Sequence, residues 1–347
     1  MNIYLFIFSL LLLLSYPKDL KQFFYPTVII LFLFSSFRGI EVDRDHANYI
    51  ELITLASNNL SYPIEPGFKI LSFISVNIFG GYFFVFLAFA FISIYYKAKA
   101  IRLISPYPML SLLLLFSNVY LLHDFTQIRA AAAGAISCYA LTHLIKDNKN
   151  KFLLYIVFAS IFHYSALVFL IALLFKKNNI SLLFIIMYLL SLSGCYLLYY
   201  LNINLLNIIN FINIPYIKNK YLEYAMSVFT DEYVKVNVYS FVQLSHIFIS
   251  LFLLLSSYRI KFDASELILL KLYSLAPICL VLFSFVPAFS LRMSELFSIL
   301  EILILPFFVR MIKQKFCMKT FIVLVATAMI YIHLFHVNLL NQYNMNF

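Results

Sequence analysis

Long apolar blocks, such as Leu110–Phe116, Ile180–Leu192 and Ile247–Leu255, restrict what this chain can become. Of its 347 residues 64% are hydrophobic and only 12% are charged, with a mean hydropathy of +0.94. A soluble domain carries about twice that charged fraction. Apolar runs of about 18 residues or more read as membrane helices. The apolar–polar alternation of a transmembrane barrel is missing. The expected fold is all-α: a polytopic membrane protein of about 10–12 transmembrane helices, some broken or re-entrant. It reads as a single integral membrane domain over residues 1–347.

The charges between blocks set the expected topology. Lys18 and Lys21 follow the first block; Lys97, Lys99 and Arg102 follow the fourth. Lys146, Lys149 and Lys151, then Lys176 and Lys177, flank residues 152–175; Arg259 and Lys261 come later, and Arg310, Lys313, Lys315 and Lys319 separate the last two blocks. The positive-inside rule places all 16 of these, out of 25 Lys and Arg, in the cytoplasm. That assignment requires two incomplete crossings. Residues 68–79 are short and end at Gly80-Gly81, so they are expected to be re-entrant or interfacial. Residues 152–175 are basic at both flanks and are expected to break near His163 and return. Both termini, a polar loop over 38–67 and a larger loop over 202–237 with an amphipathic segment then lie outside the cytoplasm.

Net charge +10 does not point to nucleic acid, because the basic residues form short clusters at helix ends rather than a stripe. The four cysteines (Cys138, Cys195, Cys279, Cys317) show no metal spacing and read as free thiols. No metal and no cofactor are expected. Met1–Leu14 lacks a basic leading segment and a small-residue cleavage site, and reads as a retained first helix.

Against this background the stretch from Arg38 to Tyr49, closed by Glu65-Pro66-Gly67-Phe68, is anomalously charged. Arg129 opens an Ala-rich helix, where free N–H groups and an arginine fork suit a phosphate. The bland alternative is an arginine reaching to the interface from a helix-packing face. His163 sits among Phe162, Tyr164 and Phe158 in an apolar stretch. Intramembrane ionisable residues are by default functional hypotheses, although such a histidine is often only a satisfied polar group. Arg292 has Glu295 three residues on, the spacing of an intrahelical pair. Glu65 could simply cap the helix after it. Taken together, Arg38, Arg129, Arg292, Asp45, Glu65, Asp124 and His163 map to one face of the expected topology. Such a face suits a lipid-linked diphosphate: arginines for phosphate, apolar grooves for the tail, aromatics for sugars, and an acid or His as base.

The order Phe37-Arg38, Asp45, Tyr49, Glu65-Pro66-Gly67-Phe68, Ser105-Pro106-Tyr107-Pro108, Ile128-Arg129, Phe162-His163-Tyr164-Ser165-Ala166-Leu167 and a late Arg292 resembles the EpsG-like group of bacterial surface-polysaccharide polymerases, the Wzy type. The resemblance spans roughly residues 30–300. Two positions depart from the family pattern: Asp43-Arg44 stand where Gly-Thr is usual, and Ala130 where Gln is usual.

The resemblance implies a GT-C-like glycosyltransferase in the bacterial inner membrane with its active face outside the cytoplasm. It would move a growing glycan from undecaprenyl diphosphate onto a new lipid-linked repeat unit, with a chain-length regulator as a further partner. In that reading Arg129, Arg292 and Arg38 bind diphosphate, and the candidate bases are Asp45 and Glu65 first, with His163 next. Arg44, Tyr49, Asp124 and Tyr164 are further substrate contacts, while Glu41, Asp43 and Arg44 could equally be solvated loop. Rival readings are a ligase for finished glycan, a flippase or transporter of the same lipid, a membrane acyltransferase using His163, and a structural membrane protein.

Overall fold

The computed structural model describes residues 2–17, 20–59, 61–207, 236–257, 262–311 and 313–345. Most of the 202–237 loop, including Lys218, Lys220, Glu223, Asp231 and Glu232, lies outside the described residues. The helices in chain order are α1 (Asn2–Ser15), α2 (Phe24–Ser36), α3 (His46–Asn58), α4 (Pro66–Asn77), α5 (Phe83–Ile104), α6 (Pro108–Leu114), α7 (Ile128–Ile145), α8 (Lys149–Phe162), α9 (Leu182–Tyr200), α10 (Phe241–Ser256), α11 (Ala264–Tyr273), α12 (Leu275–Leu282), α13 (Pro287–Ser298) and α14 (Lys315–Tyr331). α6 runs directly into a π-helix, Leu115–Thr126, and a 3₁₀ helix, Tyr164–Leu174, follows α8.

Six described segments are long and apolar enough to cross a membrane: Phe83–Ile104, Pro108–Thr126, Ile128–Ile145, Leu182–Tyr200, Ala264–Leu282 and Lys315–His336. Shorter apolar helices are Asn2–Ser15, Phe24–Ser36, Tyr164–Leu174 and Phe241–Ser256. The fold is an all-α, multi-pass membrane protein. Chain chemistry sets several helix ends. Ser181, Asn148 and Ser240 accept backbone N–H bonds at the starts of α9, α8 and α10. Asp263 and Glu266 form a capping box on α11. The apolar stretch 294–312 is in pieces, with α13 ending at Ser298 and Pro306 inside a 3₁₀ turn. Proline lacks an N–H and forces such breaks.

The break expected near His163 is present. His163 is extended (φ −159°, ψ 125°) between α8 and the 3₁₀ helix. α4 is a 12-residue helix, too short for a full crossing at 1.5 Å per residue. The 38–67 stretch is not simply loop, since α3 takes up 13 of its residues.

Two compact units make up the chain: Met1–Leu174 with Glu301–Phe347, and Phe175–Leu300. In the first, α7 packs between α5 and α8. Ala131, Ala132, Ala133 and Ala135 are fully buried there, and their small side chains let neighbouring backbones approach. Tyr49, Phe68, Phe86, Phe89, Ile128 and Phe162 join α3, α4, α5, α7 and α8 in one apolar cluster.

This unit has two distinct polar ends. At one, Lys319 Nζ donates to the Tyr16 carbonyl at 2.5 Å and lies over Tyr107, and Arg102 lies over Phe24. At the other end of α1, Tyr4 donates its hydroxyl to the Asn341 carbonyl. There the C-terminal segment straps the Arg38–Arg44 loop. Gly39 N donates to Asn344 O (2.9 Å) and Asn341 N to Val42 O (2.9 Å), while Asp43 and Leu340 form a β-bridge. The Asn341 side chain bonds Glu41 O, and Arg44 bonds the carbonyls of Val337 and Asn338.

In the second unit, Cys195, Val236, Val238, Leu280 and Val281 form a small core. Buried Lys271 donates to the carbonyls of Lys176 (2.7 Å) and Asn178 (3.0 Å).

Candidate functional site

The Glu-Pro-Gly-Phe motif has a physical reading at each position. Pro66 occupies the first turn of α4, where its missing N–H costs nothing. A Cβ on Gly67 would stand 2.8 Å from the Ile161 carbonyl oxygen, so glycine is what lets α4 close on the end of α8. Phe68 is fully buried and lies under the Arg129 guanidinium, 5.4 Å from ring centroid to Cζ. Glu65 stands at the N-cap of α4, but its side chain makes no cap bond.

Its carboxylate instead joins two distant residues. Arg129 Nη1 donates to Glu65 Oε2 at 2.6 Å, and His163 Nδ1 lies 2.6 Å from Glu65 Oε1. Glu65 is nearly buried, whereas the side chains of Arg129 and His163 are about a fifth exposed (22% and 18%) and thus reachable from outside. Burial alone would raise the Glu65 carboxyl, but the His163 hydrogen bond and the Arg129 charge outweigh it and bring it down to about 2. Glu65 is therefore ionised and can only accept, so the proton between it and His163 sits on Nδ1. In the neutral imidazole this tautomer leaves Nε2 as the acceptor nitrogen. Tyr49 also flanks Arg129, at 5.9 Å. Arg129 Nε has no hydrogen-bond partner among the described residues. One nitrogen of the fork thus holds Glu65, and about a fifth of the Arg129 side chain stays exposed.

Arg38 and Asp124 do not join this group. Arg38 is 1% exposed and fully engaged. Its Nε donates to Asp43 (2.7 Å), Nη1 to Ser35 O (2.6 Å) and Nη2 to Phe125 O (2.7 Å), between the rings of Phe86 and Phe125. It ties the loop to the end of the π-helix and offers no surface to a phosphate. Asp43, expected to be solvated loop, is buried with it and lies 3.5 Å from His46 Nδ1. Burial raises the Asp43 carboxyl, while His46 and Arg38 together lower it further, leaving it below the usual range.

Asp124 pairs with Lys97 at 2.5 Å, both side chains fully buried, and accepts from Ser93 Oγ at 2.5 Å. Lys97 is therefore not the cytoplasmic surface lysine expected from the charge pattern. It lies well inside α5, and Asp124 is as buried as its partner.

Asp45 is half-buried at the N-cap of α3, where its N–H donates to Asp43 Oδ1. Arg44 is exposed, and Tyr164 is 39% exposed next to His163. Arg292 is half-buried on α13 of the second unit, three residues before Glu295. Asp43, His46, Lys97 and Ser93 were not expected to take part in buried polar pairs. The one available signal was Lys97 itself, an ionisable residue four positions after Ser93 on a helix running on to Ile104. No group of three His, Cys, Asp or Glu able to hold a metal occurs among the described residues.

A bundle of membrane helices with an Arg–Glu–His cluster at one polar end defines a class of multi-pass membrane proteins with an ionic site at a helix junction. The EpsG family model matches residues 21–346, and the chain belongs to that family. It is thus a membrane protein of the polysaccharide-polymerase type. No curated protein and no solved structure matches it.

Proposed function

We propose that this chain is a glycosyltransferase that polymerises oligosaccharide repeat units carried on undecaprenyl diphosphate. The observation that carries the reading is the single Glu65 carboxylate holding Arg129 and His163 at 2.6 Å each. A carboxylate at about 2 is a poor base near neutral pH, because efficient bases have values close to the working pH. Glu65 is thus the orienting group, and His163 the base, in the carboxylate–imidazole arrangement that fixes a tautomer. This reverses the ranking that placed Asp45 and Glu65 ahead of His163.

The acceptor sugar hydroxyl gives its proton to His163 Nε2 as its oxygen bonds the donor's anomeric carbon. The bond from that carbon to the diphosphate oxygen breaks, and the electron pair leaves with undecaprenyl diphosphate. Arg129 meets the growing negative charge there. Arg292, in the second unit, keeps a diphosphate role on the family resemblance alone, and Arg292→Ala is its test. The reading places the Glu65 end of the first unit outside the cytoplasm, in the bacterial inner membrane. Lys319 and Arg102 at the other end support that orientation through the positive-inside rule.

The test supplies purified chain in lipid vesicles with the lipid-linked repeat unit alone. A ladder of lengthening products that is lost in Arg129→Ala and His163→Ala supports the proposal. Transfer of a single finished glycan to a lipid core, or lipid flipping without polymer, overturns it.

A further inference from the structure

The strap formed by the C-terminal segment borders a cleft of about 740 Å³. Asn2, Ile3, Asn338, Leu340, Asn341, Gln342 and Tyr343 line it. Two properties of this lining stand out. Every polar group but one is a carboxamide, and no side chain is charged. The size is that of a small-molecule site, for which about 300–1,000 Å³ is usual.

A carboxamide offers two donors and an acceptor within one plane. Adjacent sugar hydroxyls, each both donor and acceptor, match that pattern; phosphate and carboxylate do not, since they call for arginine or lysine. An amide array is also incompatible with acyl chains, because amides left unbonded in hydrocarbon are costly. Tyr343 supplies a fixed apolar wall. Its ring stacks on Phe34 at 4.3 Å, and its hydroxyl donates to the Phe34 carbonyl. Asn341 is held by its bond to Glu41 O, so that side chain is also pre-set.

The cleft is mechanically continuous with the ionic site. Residues 39–43 pair with 340–344, and α3 begins three residues after Asp43. α3 carries Tyr49, which flanks Arg129.

We infer that this cleft binds an uncharged stretch of the glycan through its carboxamides, as a saccharide subsite separate from the Arg129 diphosphate site. The inference rests on the polymerase reading for the identity of its ligand. The same hydroxyl chemistry occurs in glycerol-type lipid headgroups, so the experiment includes both.

The probes are oligosaccharides released by partial acid hydrolysis of the host's own surface polysaccharide, with glycerol and phosphatidylglycerol as comparison ligands. Saturation-transfer NMR on the full chain in nanodiscs reads binding. The variant is Asn2→Ala/Gln342→Ala, which removes two carboxamides while leaving the Asn341 and Tyr343 bonds intact. Wild type should bind the oligosaccharides in preference to both comparison ligands, and the variant should bind them about tenfold more weakly, as two lost hydrogen bonds imply. Equal binding by variant and wild type, absence of binding by wild type, or preference for phosphatidylglycerol each overturns the inference. Ladder formation is measured on the same nanodiscs. A wild type that makes ladders but fails the binding test removes the subsite alone. One that binds oligosaccharide and makes no ladder removes the polymerase reading alone.

Discussion

Glu65 stands at the N-cap of α4, yet its carboxylate reaches His163, 98 residues along the chain, at 2.6 Å. A glutamate that could have capped its own helix faces another segment, and the helix start is left to Pro66.

The first prediction concerns acid. The Glu65 carboxyl sits at about 2 in the folded chain against an ordinary 4.5. A carboxyl lowered on folding stabilises fully above its ordinary value, and that contribution fades as pH falls through the folded value. The difference of about 2.5 units corresponds to roughly 3 kcal/mol. Glu65→Gln should therefore unfold earlier than wild type at pH 7, with the gap starting to close below about pH 4.5 and small near pH 2. Thermal unfolding in detergent across that range checks it; a constant gap would contradict the ionic account.

Arg129→Lys keeps the charge but not the fork. One ammonium cannot hold Glu65 and present a second fixed donor to phosphate in the same geometry. Ladder formation should drop by at least about tenfold with the folded state retained, and Arg129→Ala should abolish it. Full chain length in the Lys variant would show that only charge matters there.

Lys97 and Asp124 make a strong test of burial. Removing one partner leaves a buried charge unpaired, which costs about 3–5 kcal/mol, whereas replacing both with apolar residues is near neutral. Lys97→Met should express poorly, and Lys97→Met/Asp124→Leu should recover. Yield and unfolding midpoint of the two variants beside wild type decide it. A double variant as poor as the single one would mean the pair does more than balance charge.

Gly67→Ala places a methyl 2.8 Å from the Ile161 carbonyl, a backbone atom that cannot swing aside. Overpacking of this kind costs about 1–3 kcal/mol. Because Glu65 is two residues away, ladder formation should fall more than stability does. Parallel unfolding and polymer assays separate the two effects.

Much of this was legible in the sequence, and its limits have physical causes. Apolar block length foretold the helices, and basic flanks on both sides of 152–175 foretold the break at His163, because charge balance is a property of the chain alone. Glu65, Arg129 and His163 were each visible as ionisable residues in apolar surroundings. That they share a face was expected; that one carboxylate holds the other two was not, since such contact depends on how closely α4 approaches α8. Two arginines of like appearance, Arg38 and Arg129, had opposite fates: Arg38 meets Asp43, Ser35 and Phe125 in a closed pocket, and Arg129 keeps a fifth of its side chain exposed. Burial of that kind is set by neighbours far along the chain. Lys97 misled for the same reason, since the positive-inside rule counts lysines without knowing that Asp124 waits inside.

The strap that closes over residues 39–44 has a consequence for how the protein is made. Asn341 bonds Glu41 across 300 positions of sequence. During synthesis at about 5–20 residues per second, roughly 15–60 s pass between the two leaving the ribosome. Throughout that interval the loop beside Arg38 lacks its cover, so this end of the first unit is completed only when residues 340–344 have emerged. A ribosome that stalls before Leu340 leaves membrane-inserted chains with most of these helices and that loop uncovered.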